Sequence, residues 1–189
     1  MEDIVIVGFG GHAKSIIDSI ERQGKYRVIG YTDFKEQDSK YKYLGNDSVL
    51  QLYYEQGVKY ACVGIGYLGK GNVRQNCYKM LKEIGYELPI IVDPTALVAK
   101  SAILGEGTFI GKNVVVNVDV QIGKMVIVNS KALIEHECCI GAFSHVAVAA
   151  VLCGQVKVGQ AAFVGANATV IQCMTVGEKS LIPAGAIYR

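Results

Sequence analysis

The stretch IEHECC-IGAFSH-VAVAAV-LCGQVK-VGQAAF-VGANAT (residues 134–169) decides the fold of half the chain, because each six-residue unit opens with an aliphatic residue. The spacing extends from Val92 to Ile182, so sixteen consecutive positions, six residues apart, are Val, Ile or Leu. The residue two places before each is mostly small or β-branched, and the residue after it is often glycine, which predicts a tight turn there. Inward aliphatic side chains with regular turns predict a three-sided parallel β-solenoid of about eighteen residues per coil.

Residues 1–89 have a different organisation. Strands are predicted over 4–7, 26–31 and 58–63, and helices over 12–22, 47–56 and 72–84. This half carries 23 charged side chains, whereas residues 90–189 carry 13. The alternation predicts a Rossmann-like α/β domain over 1–89, followed by an all-β solenoid domain over 90–189.

The composition of the chain disfavours several classes of partner and one class of fold. The 189 residues include 19 basic and 17 acidic side chains, a net charge of +2 that argues against nucleic acid or a membrane surface as partner. The N-terminus has no signal-type segment, and no apolar run approaches the roughly 18 residues of a membrane helix. The six cysteines form no CxxC pair, so a disulfide framework is not expected. These features favour a reduced, cytoplasmic compartment.

A glycine-rich loop lies in VIVGFGGHAKSIID (residues 5–18), where Gly8, Gly10 and Ala13 form a GxGxxA frame between a strand and a helix. Backbone N–H groups at such a helix start bind phosphate. Asp33 ends the second predicted strand, where an acidic residue binds ribose hydroxyls or a base edge. The alternative is a tight βα turn without a ligand. About 90 residues are too few for two mononucleotide halves, so a mononucleotide or nucleotide sugar is favoured over a dinucleotide.

The histidines of the solenoid interrupt its most apolar part. His136 lies two places after inward Ile134, which puts it at a corner facing outwards, beside Glu137. Gly154 occupies the same corner one coil later, and stacked strands lie about 4.8 Å apart. Acyl transfer needs at least a general base and, beside it, an accessible backbone N–H that stabilises the oxyanion. The alternative is that these are ordinary corner residues.

A zinc site is not expected. Catalytic zinc needs three protein ligands, whereas the solenoid supplies only His136 and His145, and His12 belongs to the other domain. His145 is half a coil from His136, so the two approach each other only across a subunit interface.

Taken together, GFGGHAKSIID (8–18), IEHECCIG (134–141), HVAV (145–148) and VKVG (156–159) resemble the sialic acid O-acetyltransferase-like family of hexapeptide-repeat acyltransferases. The resemblance is strongest to the UDP-4-amino-sugar N-acetyltransferases of bacillosamine-type pathways. It implies a left-handed β-helix and a homotrimer with active sites between subunits. It also implies transfer of acetyl from acetyl-CoA to a UDP-linked amino-dideoxy sugar, without a covalent enzyme intermediate and without a metal.

The resemblance also assigns roles to residues. His136 would be the general base, and Glu137 would raise its basicity. The residues that it assigns to acetyl-CoA are His145, Gly154, Ala166 and Ala184. The residues that it assigns to the UDP-sugar are Gly10, Gly11, His12, Asp33 and Gly66.

Two other functions remain open from the sequence. The same residues serve O-acetylation of sialic acid or CMP-sialic acid, since a hydroxyl and an amine use the same base. The second alternative is a non-catalytic solenoid protein that binds a nucleotide sugar. Release of free CoA in the presence of candidate sugars separates catalysis from binding.

Overall fold

The computed structural model describes all 189 residues, which form two compact units. The first contains Met1–Gly66 and Asn72–Pro89, and the second contains Tyr67–Gly71 and Ile90–Arg189. The division of the sequence at residue 89 does not foresee that Tyr67–Gly71 packs with the C-terminal unit. None of the helices combines the length and the apolar character that crossing a membrane requires.

The first unit is a parallel α/β sheet. In chain order its elements are β1 (Glu2–Val7), α1 (Gly11–Gln23), β2 (Tyr26–Thr32), β3 (Tyr43–Gly45), a 3₁₀ turn (Asp47–Val49), α2 (Leu50–Glu55), β4 (Tyr60–Val63) and α3 (Val73–Ile84). The strands are parallel in the order β3-β2-β1-β4. Helix α1 buries Ile16, Ile17 and Ile20 on one face and ends at Gly24, whose φ is 65°.

Two local features of this unit differ from the sequence prediction. Strand β3 was not predicted, because three residues are too few to show a strand period. The predicted helix over 47–56 begins as the 3₁₀ turn, capped by Asn46, whose Oδ1 accepts the Ser48 N–H at 3.0 Å. Helix α2 therefore has only six residues.

The strand order places three loops along one edge of the sheet. Strand β1 is central, with β2 on one side and β4 on the other. The glycine loop follows β1, Asp33 follows β2, and Gly64–Gly66 follows β4. The carboxyl edge of an open parallel sheet, where connections diverge to either side, is where such sheets bind ligands.

The second unit is a left-handed parallel β-helix of about five turns. Its strands are β5 (Ile91–Val92), β6 (Leu97–Val98), β7 (Ile103–Leu104), β8 (Phe109–Ile110), β9 (Val115–Val116), β10 (Gln121–Ile122), β11 (Ile127–Val128), β12 (Leu133–Ile134), β13 (Cys139–Ile140), β14 (His145–Val146), β15 (Val151–Leu152), β16 (Lys157–Val158), β17 (Phe163–Val164), β18 (Thr169–Val170), β19 (Thr175–Val176), β20 (Leu181–Ile182) and β21 (Ile187–Tyr188).

Every third strand belongs to the same flat sheet, which gives three faces. Face 1 contains β5, β8, β11, β14, β17 and β20. Face 2 contains β6, β9, β12, β15, β18 and β21, and face 3 contains β7, β10, β13, β16 and β19. The predicted inward positions form the core: Ile110, Ile134, Val146 and Val164 are all fully buried. Each such side chain contributes about 1.5–3 kcal/mol of burial free energy.

The turns are made by residues that the sequence analysis did not identify. Twelve non-glycine residues, spaced six apart from Asn113 to Lys179, have φ between 54° and 63°. Each lies three places after an inward aliphatic residue and is anchored by its N–H to the previous coil, as Glu137 N–H is to the Val118 oxygen at 3.0 Å. This bond compensates for the cost of a left-handed conformation in a residue with a Cβ.

The predicted turn after the inward aliphatic residue is present, and its first residue is the glycine, as the bond from the Ala162 N–H to the Gly159 oxygen shows. These glycines do not adopt the left-handed conformation, so their presence has another cause. A Cβ at Gly141 would lie 2.5 Å from the backbone nitrogen of Gln160, and a Cβ at Gly159 would lie 2.5 Å from that of Glu178. Glycine is present because the next coil approaches too closely for a side chain.

Candidate active site

His136 lies at the corner where the chain passes from β12 on face 2 to β13 on face 3. Its side chain is 49 % exposed, and its Nδ1 lies 3.0 Å from Oε2 of Glu137. An ionised carboxylate only accepts hydrogen bonds, so Nδ1 is the donor, and in the neutral form of the ring Nε2 has the free lone pair. The ring is thus held in the tautomer that a general base requires.

Gly154 lies directly against this ring on the next coil. A Cβ at Gly154 would be 2.5 Å from His136 Nε2 and 2.6 Å from Cε1. Only glycine leaves room for the imidazole here. The structure therefore brings together His136, Glu137 and Gly154, three of the residues that the sequence analysis singled out.

The backbone N–H of Gly154 differs from its counterparts on the two preceding coils. The Val118 N–H is accepted by Asn117 Oδ1 at 2.8 Å, and the His136 N–H by Glu135 Oε2 at 3.3 Å. The residue before Gly154 is Cys153, which has no side-chain oxygen, and the Gly154 N–H has no acceptor in the chain. This N–H is available to an oxygen of a bound molecule.

Side chains from two coils hold Glu137 in place. Its Oε2 accepts from His136 Nδ1 and also from Gln155 Nε2, at 3.1 Å. The hydrogen bond from His136, followed by that from Gln155, lowers the pKa of Glu137 below the ordinary 4.5. Sequence reasoning missed Gln155, although its eighteen-residue distance from Glu137 was a usable signal.

Cys138, which follows Glu137, is a poor candidate for a nucleophile. The Cys138 thiol is buried and donates to the Cys153 carbonyl oxygen at 3.1 Å. Burial raises the pKa of Cys138 to about 11, so the thiol stays protonated near neutral pH.

His145 is placed in a different part of the solenoid. It is buried in β14 on face 1, packs edge-on against Phe163 at 5.2 Å between ring centroids, and has Asn129 Nδ2 3.4 Å from its Nε2. Its Nδ1 lies 2.6 Å from the Tyr67 carbonyl oxygen, and the Tyr67 hydroxyl donates to the Ala161 oxygen at 2.7 Å. In the single chain His145 therefore anchors the segment Tyr67–Gly71, and its role toward acetyl-CoA stays a prediction.

Ala166 and Ala184 lie together at the corner between faces 1 and 2. They occupy equivalent positions on successive coils, and the Gly185 N–H bonds the Ala166 oxygen at 2.8 Å. Both offer only a methyl group to solvent on that corner. The predicted coenzyme residues thus fall into two groups within one chain: Gly154 beside His136, and His145 with the two alanines elsewhere.

The residues predicted to bind the UDP-sugar lie at the carboxyl edge of the first unit. Gly10 precedes α1 without a side-chain cap, and a Cβ at Gly10 or Gly11 would meet nothing within 4 Å. Asp33 Oδ2 accepts the Phe9 N–H at 2.9 Å, which joins the loops that follow β1 and β2. An uncapped helix start beside open space is suited to a phosphate group.

The loop after β4 completes this edge. A Cβ on Gly66 would lie 3.8 Å from His12 Cβ, so both residues line the same side. The buried guanidinium of Arg74 donates to the Ile65 carbonyl oxygen, and burial lowers the pKa of Arg74 to about 10. Arg74 was missed by sequence reasoning, although it lies on the buried face of α3 with Cys77 and Leu81. No group of three or more His, Cys, Asp or Glu side chains could hold a metal ion.

Comparison with known proteins finds similarity to solved acetyltransferase structures over the whole chain. Residues 3–81 match the PglD N-terminal domain family. The acetyltransferase domain of PglB from Neisseria gonorrhoeae FA1090 superposes with a TM-score of 0.93 at 26 % identity, covering 100 % of this chain and 92 % of that one. The same domain in complex with acetyl coenzyme A gives 0.87 at 25 % identity, covering 99 % and 92 %.

A second enzyme is similar over the whole length. A mutant of GDP-perosamine N-acetyl transferase from Caulobacter crescentus, in complex with CoA and GDP-perosamine, gives a TM-score of 0.83 at 29 % identity. The alignment covers 100 % of this chain and 89 % of that one. Over its whole length the chain is therefore similar to acetyltransferases whose solved structures hold acetyl coenzyme A, or CoA with GDP-perosamine.

Proposed function

We propose that this protein transfers the acetyl group of acetyl-CoA to the amino group of a nucleotide-linked amino-dideoxy sugar, with UDP as the nucleotide. The observation that carries the proposal is the corner formed by His136, Glu137 and Gly154. It combines an oriented imidazole with a backbone N–H that nothing else in the chain accepts. The similarity of the whole chain to an acetyltransferase domain that binds acetyl coenzyme A and to GDP-perosamine N-acetyl transferase supports the choice of acetyl-CoA as donor and of an amino sugar as acceptor.

In the proposed reaction His136 Nε2 removes a proton from the sugar amine as the amine nitrogen attacks the thioester carbon. The new C–N bond forms, the C–S bond breaks, and the proton taken by His136 returns to the departing sulfur as CoA leaves as a thiol. Glu137 stabilises the imidazolium that exists between these events. The Gly154 N–H donates to the thioester oxygen as negative charge develops on it.

The N-terminal unit supplies the proposed nucleotide site. The diphosphate would lie at the start of α1, on Gly10, Gly11 and His12, where the helix dipole and uncapped N–H groups favour an anion. Asp33 and Gly66 would contact the uridine. Asp33 has a second function, since its bond to the Phe9 N–H keeps the glycine loop in place.

The placement of the coenzyme residues supports a site between subunits. Within one chain His145, Ala166 and Ala184 lie on face 1 and its corner with face 2, whereas His136 lies at the corner of faces 2 and 3. A homotrimer that packs these prisms side by side would bring the base of one subunit to the coenzyme residues of the next. We propose this arrangement for the active assembly.

The proposed function is tested by release of free CoA, detected with a thiol reagent, across a panel of acceptors. The panel contains UDP-linked and GDP-linked amino-dideoxy sugars, free sialic acid and CMP-sialic acid. Thiol release with the UDP-amino sugars, and an acetamido product by mass spectrometry, is the expected result. Thiol release with sialic acid alone would replace N-acetylation by O-acetylation, and a preference for the GDP-sugar would correct the nucleotide. Binding of UDP-sugars without any thiol release would make the protein a binding module.

A further inference from the structure

Gln155 lies at the same corner as His136 and Glu137, one coil later. Glu137, Gln155 and Cys173 occupy the same turn position on three successive coils, with φ of 58°, 62° and 63°. Left-handed turn residues stacked in this way project their side chains outwards beside one another. Gln155 is therefore the neighbour of Glu137 on the coil that also carries Gly154.

The orientation of the Gln155 amide is fixed from both sides. Its Nε2 donates to Glu137 Oε2 at 3.1 Å, and its Oε1 accepts from the Cys173 thiol at 3.3 Å. Its backbone N–H bonds the His136 carbonyl oxygen at 2.9 Å. Gln155 thus contacts the proposed base through the main chain and the carboxylate partner of that base through the side chain.

Glu137 needs such support because it is not held by burial. Its side chain is 53 % exposed, and its Oε2 receives both the His136 Nδ1–H and the Gln155 amide. An exposed carboxylate with one partner samples several rotamers, and each departure would release the imidazole from its tautomer. A second donor from the next coil restricts that motion and leaves Oε2 facing the ring.

We infer that Gln155 is a positioning residue for acyl transfer, acting on His136 through Glu137. The inference rests on the proposed function, since it assumes that His136 is the base. Gln155 contacts neither the coenzyme nor the acceptor in this assignment. Its removal should lower turnover and leave both Michaelis constants unchanged.

The test is a double-mutant cycle on the full-length protein with the acetyl acceptor found in the panel assay. Gln155→Ala is expected to lower kcat by about 3- to 10-fold, with both KM values within about twofold of wild type. In a Glu137→Gln background the same change should have almost no further effect, because Gln155 acts only through the Glu137 carboxylate. Gln155→Glu, which replaces the donor by a like charge of the same length, should lower kcat more than Gln155→Ala.

Folding is controlled within the same experiment. Alanine already occupies this turn position at Ala149 and Ala161, with φ of 55° and 54°, so Gln155→Ala is compatible with the backbone. Lys131→Ala, at the same turn position elsewhere with φ of 62°, is the matched control and should leave kcat unchanged. Thermal unfolding of all variants identifies any loss that comes from the fold.

A second measurement does not depend on activity. NMR titration of the Glu137 side-chain carboxyl should give a midpoint below 4.5 in the wild type. In Gln155→Ala the midpoint should move up toward that ordinary value, because one donor to the ionised form is lost. The other ionisable side chains at this corner are not altered. They are His136 and Glu135 on the same turn, Asp119 one coil earlier, Cys153 on the next coil and Cys173 on the coil after that.

Full activity in Gln155→Ala, equal losses in the wild-type and Glu137→Gln backgrounds, or an unmoved Glu137 midpoint would each overturn the inference. His136→Ala distinguishes this failure from failure of the proposed function. If His136→Ala loses turnover and Gln155→Ala does not, only the inference about Gln155 falls. If His136→Ala keeps turnover, the base assignment itself falls.

Discussion

At the scale of single residues, the corner around His136 depends on two small features as well as on its functional groups: Gly154 has no Cβ, and Cys153 has no side-chain oxygen. Gly154 leaves room for the His136 ring, and Cys153 leaves the Gly154 N–H without an acceptor. On the two preceding coils an Asn or a Glu occupies the position of Cys153 and accepts the corresponding N–H. The fold therefore tolerates a hydrogen-bonding side chain at this position, but position 153 has a cysteine, which cannot accept the Gly154 N–H in that way.

This contrast predicts the effect of Cys153→Asn. By analogy with Asn117, the new Oδ1 should accept the Gly154 N–H and withdraw it from the thioester oxygen. Loss of one such donor typically lowers kcat by about 10²–10³-fold. Steady-state kinetics should show that loss with little change in Tm, and Cys153→Ala, which adds no acceptor, should stay near wild-type turnover. Equal rates for the two variants would contradict the role of the Gly154 N–H.

Asp33 gives a prediction for the nucleotide site. Asp33→Ala should raise the KM for the nucleotide sugar more than it lowers kcat, because its contact is the same in the ground state and the transition state. Loss of the bond to the Phe9 N–H should add to the increase in KM. Calorimetry should show weaker UDP binding than in the wild type. An unchanged affinity for UDP would remove Asp33 from the nucleotide site.

At the scale of elements, the spacing of the coils controls which positions must be glycine. A Cβ at Gly141 would lie 2.5 Å from the backbone nitrogen of Gln160, whereas at Gly177 the nearest atom would be the Ser180 hydroxyl at 3.1 Å. Both glycines follow an inward aliphatic residue, so they are matched in sequence position. Gly141→Ala should destabilise the solenoid by about 1–3 kcal/mol or more, because the new methyl group would overlap the backbone of the next coil, which cannot shift without breaking its own hydrogen bonds.

Thermal unfolding of the pair checks this prediction. Gly141→Ala should lower Tm clearly, and Gly177→Ala should lower it much less, since a hydroxyl can rotate away. Equal Tm values would show that the close approach of the coils does not determine these glycines.

The elements also show what the sequence could predict and why the remainder was missed. Periodicity predicted the solenoid and its inward residues, because one six-residue pattern is repeated along half the chain. The left-handed turn residues were missed because side chains as different as Asn113, Met125 and Phe143 occupy that position. Their conformation is maintained by bonds to the previous coil, which leave no signature in residue type.

Contacts between distant parts of the chain were the other omission. The Tyr67–Gly71 segment packs on face 1 through the Tyr67 carbonyl and hydroxyl groups. The local sequence contains no pattern that predicts these hydrogen bonds. The same holds for Arg74, whose partner is a loop carbonyl. Gln155 was also missed, although its distance of eighteen residues from Glu137 matches the length of one coil. By contrast His136, Glu137 and Gly154 could be predicted to lie together, because the repeat fixes their relative positions.

At the scale of the whole molecule, the proposed site between subunits predicts complementation. His136→Ala and His145→Ala homotrimers should each be nearly inactive. Mixed after reversible dissociation, they should regain activity, because about a quarter of the interfaces in random mixed trimers carry both histidines. Light scattering should first show three chains per particle for each variant, since His145→Ala also breaks the bond to Tyr67. A monomeric wild type, or mixed trimers without regained activity, would contradict the arrangement.

The central claim is that His136 is the base of a direct acetyl transfer. The most direct measurement is kcat of His136→Ala, made beside calorimetry of acetyl-CoA binding to the same protein. His136 is exposed at a corner, so its removal should leave the solenoid core and coenzyme affinity intact. The account predicts a loss of about 10²–10⁴-fold in kcat, the usual contribution of a general base, with unchanged affinity for acetyl-CoA. A variant that binds acetyl-CoA and turns over at nearly the wild-type rate would contradict it.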